Sequence, residues 1–179
     1  MSHRVVEEWR GVQVETLEDL LRPGLRAVCV GVNPAPPSVA AGHYYQGKLG
    51  QAFFGRLHRI GVVPTKSGWE DDAAFAAGIG FTDIVKRPTR SASELSREEL
   101  AYGRLLLPEK LAAVQPRLVI FTFKKTATVM FGRFDGFGFV GKRIAGADAF
   151  VMPGPYERAD RVARTLGDLA TWWRHTATA

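Results

Sequence analysis

Hydrophobic and polar positions along the chain alternate between two periods. Arg26 to Val32 (RAVCVGV), Ile79 to Val85 (IGFTDIV), Leu118 to Phe123 (LVIFTF) and Ala149 to Met152 (AFVM) are short apolar runs, three of them closed by a nearby proline. Such runs predict buried strands. Between them the spacing becomes helical. Leu49, Phe53, Leu57 and Ile60 share one face of a helix that Gly61 closes, and a second helix is expected over Trp69–Ala77, ended by Gly78. Ser96-x-x-Glu99 is a capping box that opens a helix carrying Leu100, Leu107, Leu111 and Val114, which Pro108 is expected to kink or split. Lys124-Lys125-Thr126 leads into a short helix, Phe139–Ile144 reads as an edge strand, and a last helix runs from about Glu157 to Trp173. Near the N-terminus, Thr16 to Asp19 reads as an N-cap opening a short helix stopped by Pro23-Gly24.

Strands alternating with helices predict an α/β fold with a mostly parallel sheet. No repeat, low-complexity tract or linker divides the 179 residues, so one domain over 1–179 is expected. In this architecture ligands bind beyond the carboxyl ends of the strands. Four loops leave those ends: Asn33–Gln46, Lys86–Arg90, Lys124–Thr126 and Pro153–Arg158. Three are basic and the first carries aromatics, so the expected site is a basic rim around aromatic faces.

The charge balance agrees with that rim. Lys and Arg number 24 against 18 Asp and Glu, a net +6, which favours a polyanionic partner such as nucleic acid. No apolar stretch approaches the roughly 20 residues needed to span a bilayer, and the first residues lack the apolar middle of a signal peptide. An intracellular, cytoplasmic protein with no membrane contact is therefore expected. The lone Cys29 sits in a strand pattern and excludes an internal disulfide and multi-cysteine metal sites.

Several ready-made chemistries are missing. No phosphate loop, dinucleotide fingerprint or nucleophile elbow occurs. His3, His43, His58 and His175 are scattered, with no two at metal-ligand spacing, so no histidine metal site is expected. What remains is Asn33, held extended by Pro34 at the end of the first strand. Its amide donates and accepts, so it can hold a water, but it is no strong base. Pro36 and Pro37 stiffen the loop, Ser38 adds a hydroxyl, and Tyr44 and Tyr45 offer faces for stacking. A rigid loop of this kind suits a planar heterocycle, and with a basic rim, a nucleobase still attached to its polynucleotide. Each residue also has a plainer reading. Asn33 is equally a turn residue, the tyrosines equally core, and Lys86, Arg87, Lys124 and Lys125 equally a solvated face. Asp83, late in the second strand, is either a carboxylate that activates water or an exposed acid paired with Lys86 or Arg87; strand alternation decides.

These stretches resemble the mismatch-specific uracil/thymine DNA glycosylases of the uracil-DNA glycosylase superfamily. The resemblance runs in order through Gly31-Val32-Asn33-Pro34-Ala35, Gly42-His43-Tyr44-Tyr45 and Gln51-Ala52-Phe53-Phe54. It continues through Phe81 to Thr89, Glu94-Leu95-Ser96, Gln115-Pro116 and Phe150-Val151-Met152-Pro153, covering roughly Thr16 to Leu169. It implies a three-layer sandwich with a mostly parallel central sheet flanked by helices. It implies a monofunctional DNA glycosylase that starts base excision repair without metal or cofactor. The expected partner is double-stranded DNA containing uracil or mismatches, met by a monomer. By the resemblance Asn33 orients the attacking water; Asp83 is read as assisting from its place late in the second strand. Gly31, Val32, Pro34, Ala35, Ser38, Thr82 and Gly154 surround the base, and Tyr45 stacks on it. Lys86, Arg87, Lys124 and Lys125 meet the backbone, and Tyr156 or Arg158 on the loop after Pro153 enters the duplex. Two departures stand out: Ala35 replaces the family's usual glycine, and Gly154-Pro155-Tyr156 replaces its Asn or Ser residues. Alternatives are a broad glycosylase for uracil or deaminated bases, a non-catalytic nucleic-acid binder on the same scaffold, and a mononucleotide-binding protein.

Overall fold

A computed structural model of the chain describes residues 1–64, 68–133 and 135–176. The N-terminal segment forms an antiparallel hairpin, β1 (Arg4–Trp9) with β2 (Val12–Leu17). This corrects the expected helix at Thr16–Asp19. Thr16 pairs with Val5 in the ladder, and its hydroxyl donates to the Lys86 carbonyl at 2.6 Å. The alternation of Val12, Val14 and Thr16, β-branched at every second position, suits a strand that buries one face. A capping signal followed by only Leu17, Leu20 and Leu21 before Pro23-Gly24 is too short a helical repeat to overcome that.

The central sheet has five strands in the order β4-β3-β5-β7-β6. They are β3 (Ala27–Gly31), β4 (Ile79–Asp83), β5 (Leu118–Phe121), β6 (Gly138–Ile144) and β7 (Ala147–Val151). The first three and β7 pair in parallel, and β6 closes one edge antiparallel to β7. Every residue of β3, β4 and β5 is buried, as expected for strands covered on both faces.

Alternation assigns the two faces. Ala27, Cys29, Phe81, Ile120 and Phe150 join one core cluster; Val28, Val30, Val119, Phe121 and Val151 join the other. Helices α1 (Pro36–Ala41), α2 (Lys48–Arg59), α3 (Glu70–Ala76) and α6 (Ala159–His175) cover the first face. The second is covered by α4 (Arg97–Val114), α5 (Lys124–Phe131) and part of the hairpin through Trp9 and Val14. The result is three layers, helices on each side of a mostly parallel sheet.

Two local expectations are adjusted. Helix α4 runs unbroken through Pro108, opened by the Ser96–Glu99 capping box. The Arg104 carbonyl, which proline leaves without an amide partner, belongs to an exposed residue and can be hydrated. The connection after β3 is not a continuous loop. Pro36 and Pro37 occupy the first turn of α1, where proline loses nothing, and Gly42 ends the helix in the left-handed region (φ 72°).

Candidate active site

The carboxyl ends of β3, β4 and β5 open into a cavity of about 440 Å³. Gly31, Val32, Asn33, Pro34, Ala35 and Ser38 line it from the β3 side, and Asp83 from β4. Tyr45 forms its aromatic wall. That ring packs edge-on against Phe53 (5.3 Å) and Phe81 (5.7 Å) and is tilted against Phe54 (5.7 Å). Its backbone lies in the left-handed region at φ 59°, a strained state for a tyrosine. Gly50 accommodates it, because a Cβ there would lie 2.1 Å from the Tyr45 carbonyl oxygen.

Asn33 is oriented by its surroundings. Its Nδ2 donates to the Arg87 carbonyl (2.9 Å), the Thr89 hydroxyl (2.7 Å) and the Pro34 carbonyl (3.3 Å). Two of these are carbonyls that can only accept, so the amide cannot be flipped. Oδ1 accepts no hydrogen bond among the described residues, which leaves it available to a water or ligand.

Asp83 ends the neighbouring strand β4. It pairs with Gly31 across the ladder and is 2% exposed. Neither carboxylate oxygen has a hydrogen-bond partner, so the reading of Asp83 as an exposed acid paired with Lys86 or Arg87 is overturned. Burial pushes its pKa up to about 7; Lys86 opposes the rise and Asp19 adds to it. The missing side chain at Gly31 makes the arrangement possible, since a Cβ there would lie 2.1 Å from Asp83 Oδ1. The Tyr45 hydroxyl is also buried without a partner, and burial and then Asp83 raise its pKa.

Thr82, one residue earlier, faces the other way. Its hydroxyl donates to Asp19 Oδ1 at 2.7 Å and does not line the cavity, as the period of two in a strand demands. Gly154 lies outside as well. Arg56 of α2 donates to the carbonyls of Pro153 and Gly154 and so holds the loop after β7. Tyr156 in that loop is 94% exposed, and Arg158 pairs with Asp160 at 3.2 Å.

The expected basic rim is only partly there. Lys86 is 2% exposed and bonds the Leu17 carbonyl, Asp19 (3.0 Å) and Glu7 (3.4 Å), so it cannot reach a phosphate. Arg87 makes a two-pronged contact with Glu99 at 2.6 and 2.8 Å. Lys124 pairs with Asp135 at 2.9 Å. Lys125 does line the cavity, together with Arg90 and Lys48, and none of these three forms an ion pair among the described residues. Arg90 and Lys48 were not singled out by sequence, nor were the hydroxyls of Thr122 and Thr126, which line the wall beneath β5. Nothing in the local sequence separates Arg90 from Arg87; only the Glu99 partner does.

Ala35, where the resembling family carries glycine, has φ −87° and ψ 147°, an extended conformation open to any residue. Its methyl group costs the backbone nothing.

The model of the uracil DNA glycosylase superfamily matches residues 18–173. The chain belongs to that superfamily. Membership makes the protein a DNA glycosylase of the uracil-lesion class, with DNA as its partner, and agrees with the three-layer sheet and with the span of the resemblance read from sequence. No helix among the described residues is long and apolar enough to cross a membrane.

Proposed function

We propose that this superfamily member hydrolyses the N-glycosidic bond of uracil, and of thymine or related damaged bases opposite guanine, after flipping the nucleotide into the cavity at the ends of β3 and β4. The observation that carries the reading is the unpartnered carboxylate of Asp83 in the same cavity as Asn33 and Tyr45. A buried carboxylate without hydrogen bonds costs stability, and such groups gather where chemistry needs them.

As the bond between C1′ and the base nitrogen lengthens, positive charge grows on the sugar and negative charge on the base. Asn33 Oδ1 accepts a hydrogen bond from the attacking water and holds it. Asp83, ionised, stabilises the cationic sugar and takes the water's proton as the new C–O bond forms. Backbone N–H groups of the Val32–Ala35 turn receive the departing anionic base. Tyr45 stacks on it, and a mispaired base costs less to extrude. Arg90, Lys48 and Lys125 neutralise flanking phosphates, and Tyr156 fills the vacated stack.

Base release from duplexes carrying G·U, A·U or G·T and from single-stranded uracil, followed by alkaline cleavage of the abasic site, tests the proposal. Strongest cutting at G·U supports the mismatch reading. Equal cutting of all uracil substrates moves the protein to the broad class. DNA binding without release from any substrate overturns the catalytic roles of Asn33 and Asp83.

A further inference from the structure

Beside Tyr44, whose amide donates to Asp71, three distant segments meet. His3 precedes β1, His43 lies in the turn after α1, and Asp71 and Asp72 open α3. One donor atom from each lies within 4.8 Å of the other three. His43 Nδ1 is 2.9 Å from Asp71 Oδ1, and His3 Nε2 is 2.7 Å from Asp72 Oδ1. His43 is 2% exposed and Asp71 is fully buried. The spacing of histidines along the chain hid this, because His3 and His43 meet only through the fold: the His3 amide donates to the Gly42 carbonyl at 2.8 Å.

The charge at this point is unbalanced. Glu18 Oε1 adds a third carboxylate, 3.4 Å from His3 Nδ1. No lysine or arginine among the described residues bonds Asp71, Asp72 or Glu18. Apart from the histidines, the one cationic group bonded to them among the described residues is the exposed amino terminus, 3.1 Å from Asp72 Oδ2, the oxygen directed away from His3. Of these acids Asp71 alone is buried, where a carboxylate ordinarily carries a cationic partner, and among the described residues its one ionisable neighbour within bonding distance is His43; Asp72 and Glu18 are partly exposed. The donors are also held in place. Asp71 accepts the Tyr44 amide at 2.8 Å and the Asp72 amide at 3.0 Å, and Trp69 stacks on His43 at 4.1 Å.

We propose that His3, His43, Asp71 and Asp72 bind one divalent transition-metal ion of the zinc class, stapling the N-terminal strand and α3 to the turn that carries Tyr45. Two imidazole nitrogens and two carboxylate oxygens are a donor set zinc accepts. Bonds of roughly 2.0–2.1 Å in a tetrahedron need donors roughly 3.3 Å apart. The close pairs at 2.7 and 2.9 Å and a widest separation within 4.8 Å bracket that value, so the four donors lie near the spacing the ion requires. The role is structural, since none of the four residues lines the cavity.

The test uses untagged, chelator-stripped full-length protein titrated with zinc in a calorimeter, with cobalt as a spectroscopic substitute. The proposal expects saturation near one equivalent, the visible absorption of tetrahedral cobalt, and a melting temperature raised by zinc and restored by chelator. His3→Ala and Asp72→Asn, both at the less buried side of the cluster, remove saturable binding, while His58→Ala leaves it unchanged. Should His43→Ala fail to fold, those two variants still decide. No saturable binding, binding unaltered in His3→Ala and Asp72→Asn, or a cluster stabilised by acid but indifferent to zinc overturns the proposal.

Discussion

Asp19 and Asp83 lie on opposite sides of the end of β4 and meet opposite fates. Asp19 takes hydrogen bonds from Thr82 (2.7 Å), Lys86 (3.0 Å) and Lys110 (2.6 Å). Burial pushes its pKa up, but Lys86 and then Lys110 outweigh burial and hold it below the ordinary value. Asp83, the neighbour of Thr82 in sequence, receives no hydrogen bond, and burial carries it to about 7. The strand turns one side chain into a satisfied network and the next into a cavity. The same residue type is structural on one face and costly on the other, and cost without a partner points to function.

Substitution of Asp83 separates the two acids most sharply. Asp83→Asn is expected to lower turnover by about 10³-fold in single-turnover base release while DNA affinity is kept. It should also stabilise the protein, with a definite pH signature. Asp83 has an ordinary value of 3.8 and a folded value of about 7, so the folded protein binds the extra proton between them and wild-type stability falls as pH rises through that window. Asparagine abolishes this dependence, with a gain on the order of 4 kcal/mol at pH 8 that vanishes near pH 4, read by denaturant titration. Turnover moves the other way, rising with pH through about 7 as the carboxylate ionises. A flat rate profile would leave Asp83 without the role of base.

Lys86→Met tests the opposite face. Removing one partner of a buried ion pair should cost on the order of 3–5 kcal/mol in thermal or denaturant unfolding. The salt dependence of DNA binding should not change, because Lys86 is out of reach. Asn33→Ala follows, with a fall in turnover of on the order of 10²-fold and little change in binding. The smallest effects belong to the rim. Arg90→Ala and Lys125→Ala should each weaken binding to every DNA sequence and reduce the slope of log K against log salt by about 0.9 for each phosphate no longer neutralised. Arg87→Ala, whose charge Glu99 already neutralises, should change that slope less.

Much of the scaffold was legible in the sequence because its signals are local. Buried parallel strands are continuous apolar runs, and the Ser96–Glu99 box marks a helix start wherever it occurs. Asn33 at a strand end and Asp83 late in the next strand were placed on the correct edge by topology alone. What escaped depends on side-chain direction and on distant partners. Thr82 and Asp83 could not be told apart until alternation was anchored by Phe81 in the core. Lys86 looked like a rim cation because the acids that neutralise it are distant in sequence: Glu7 on the N-terminal hairpin and Asp19 just after it. His3 and His43, forty residues apart, had no local pattern to join them.

Arg56 carries one last consequence. A single guanidinium on α2 grips two successive carbonyls, those of Pro153 and Gly154, at the base of the loop that presents Tyr156. Fixing a residue's backbone costs roughly 1–2 kcal/mol of entropy. Here that cost is met when the chain folds, before any DNA arrives. On the proposed reading, in which Tyr156 enters the duplex, the loop would meet DNA with its base already ordered, and more of the free energy of contact would go into opening the base stack than into ordering the loop.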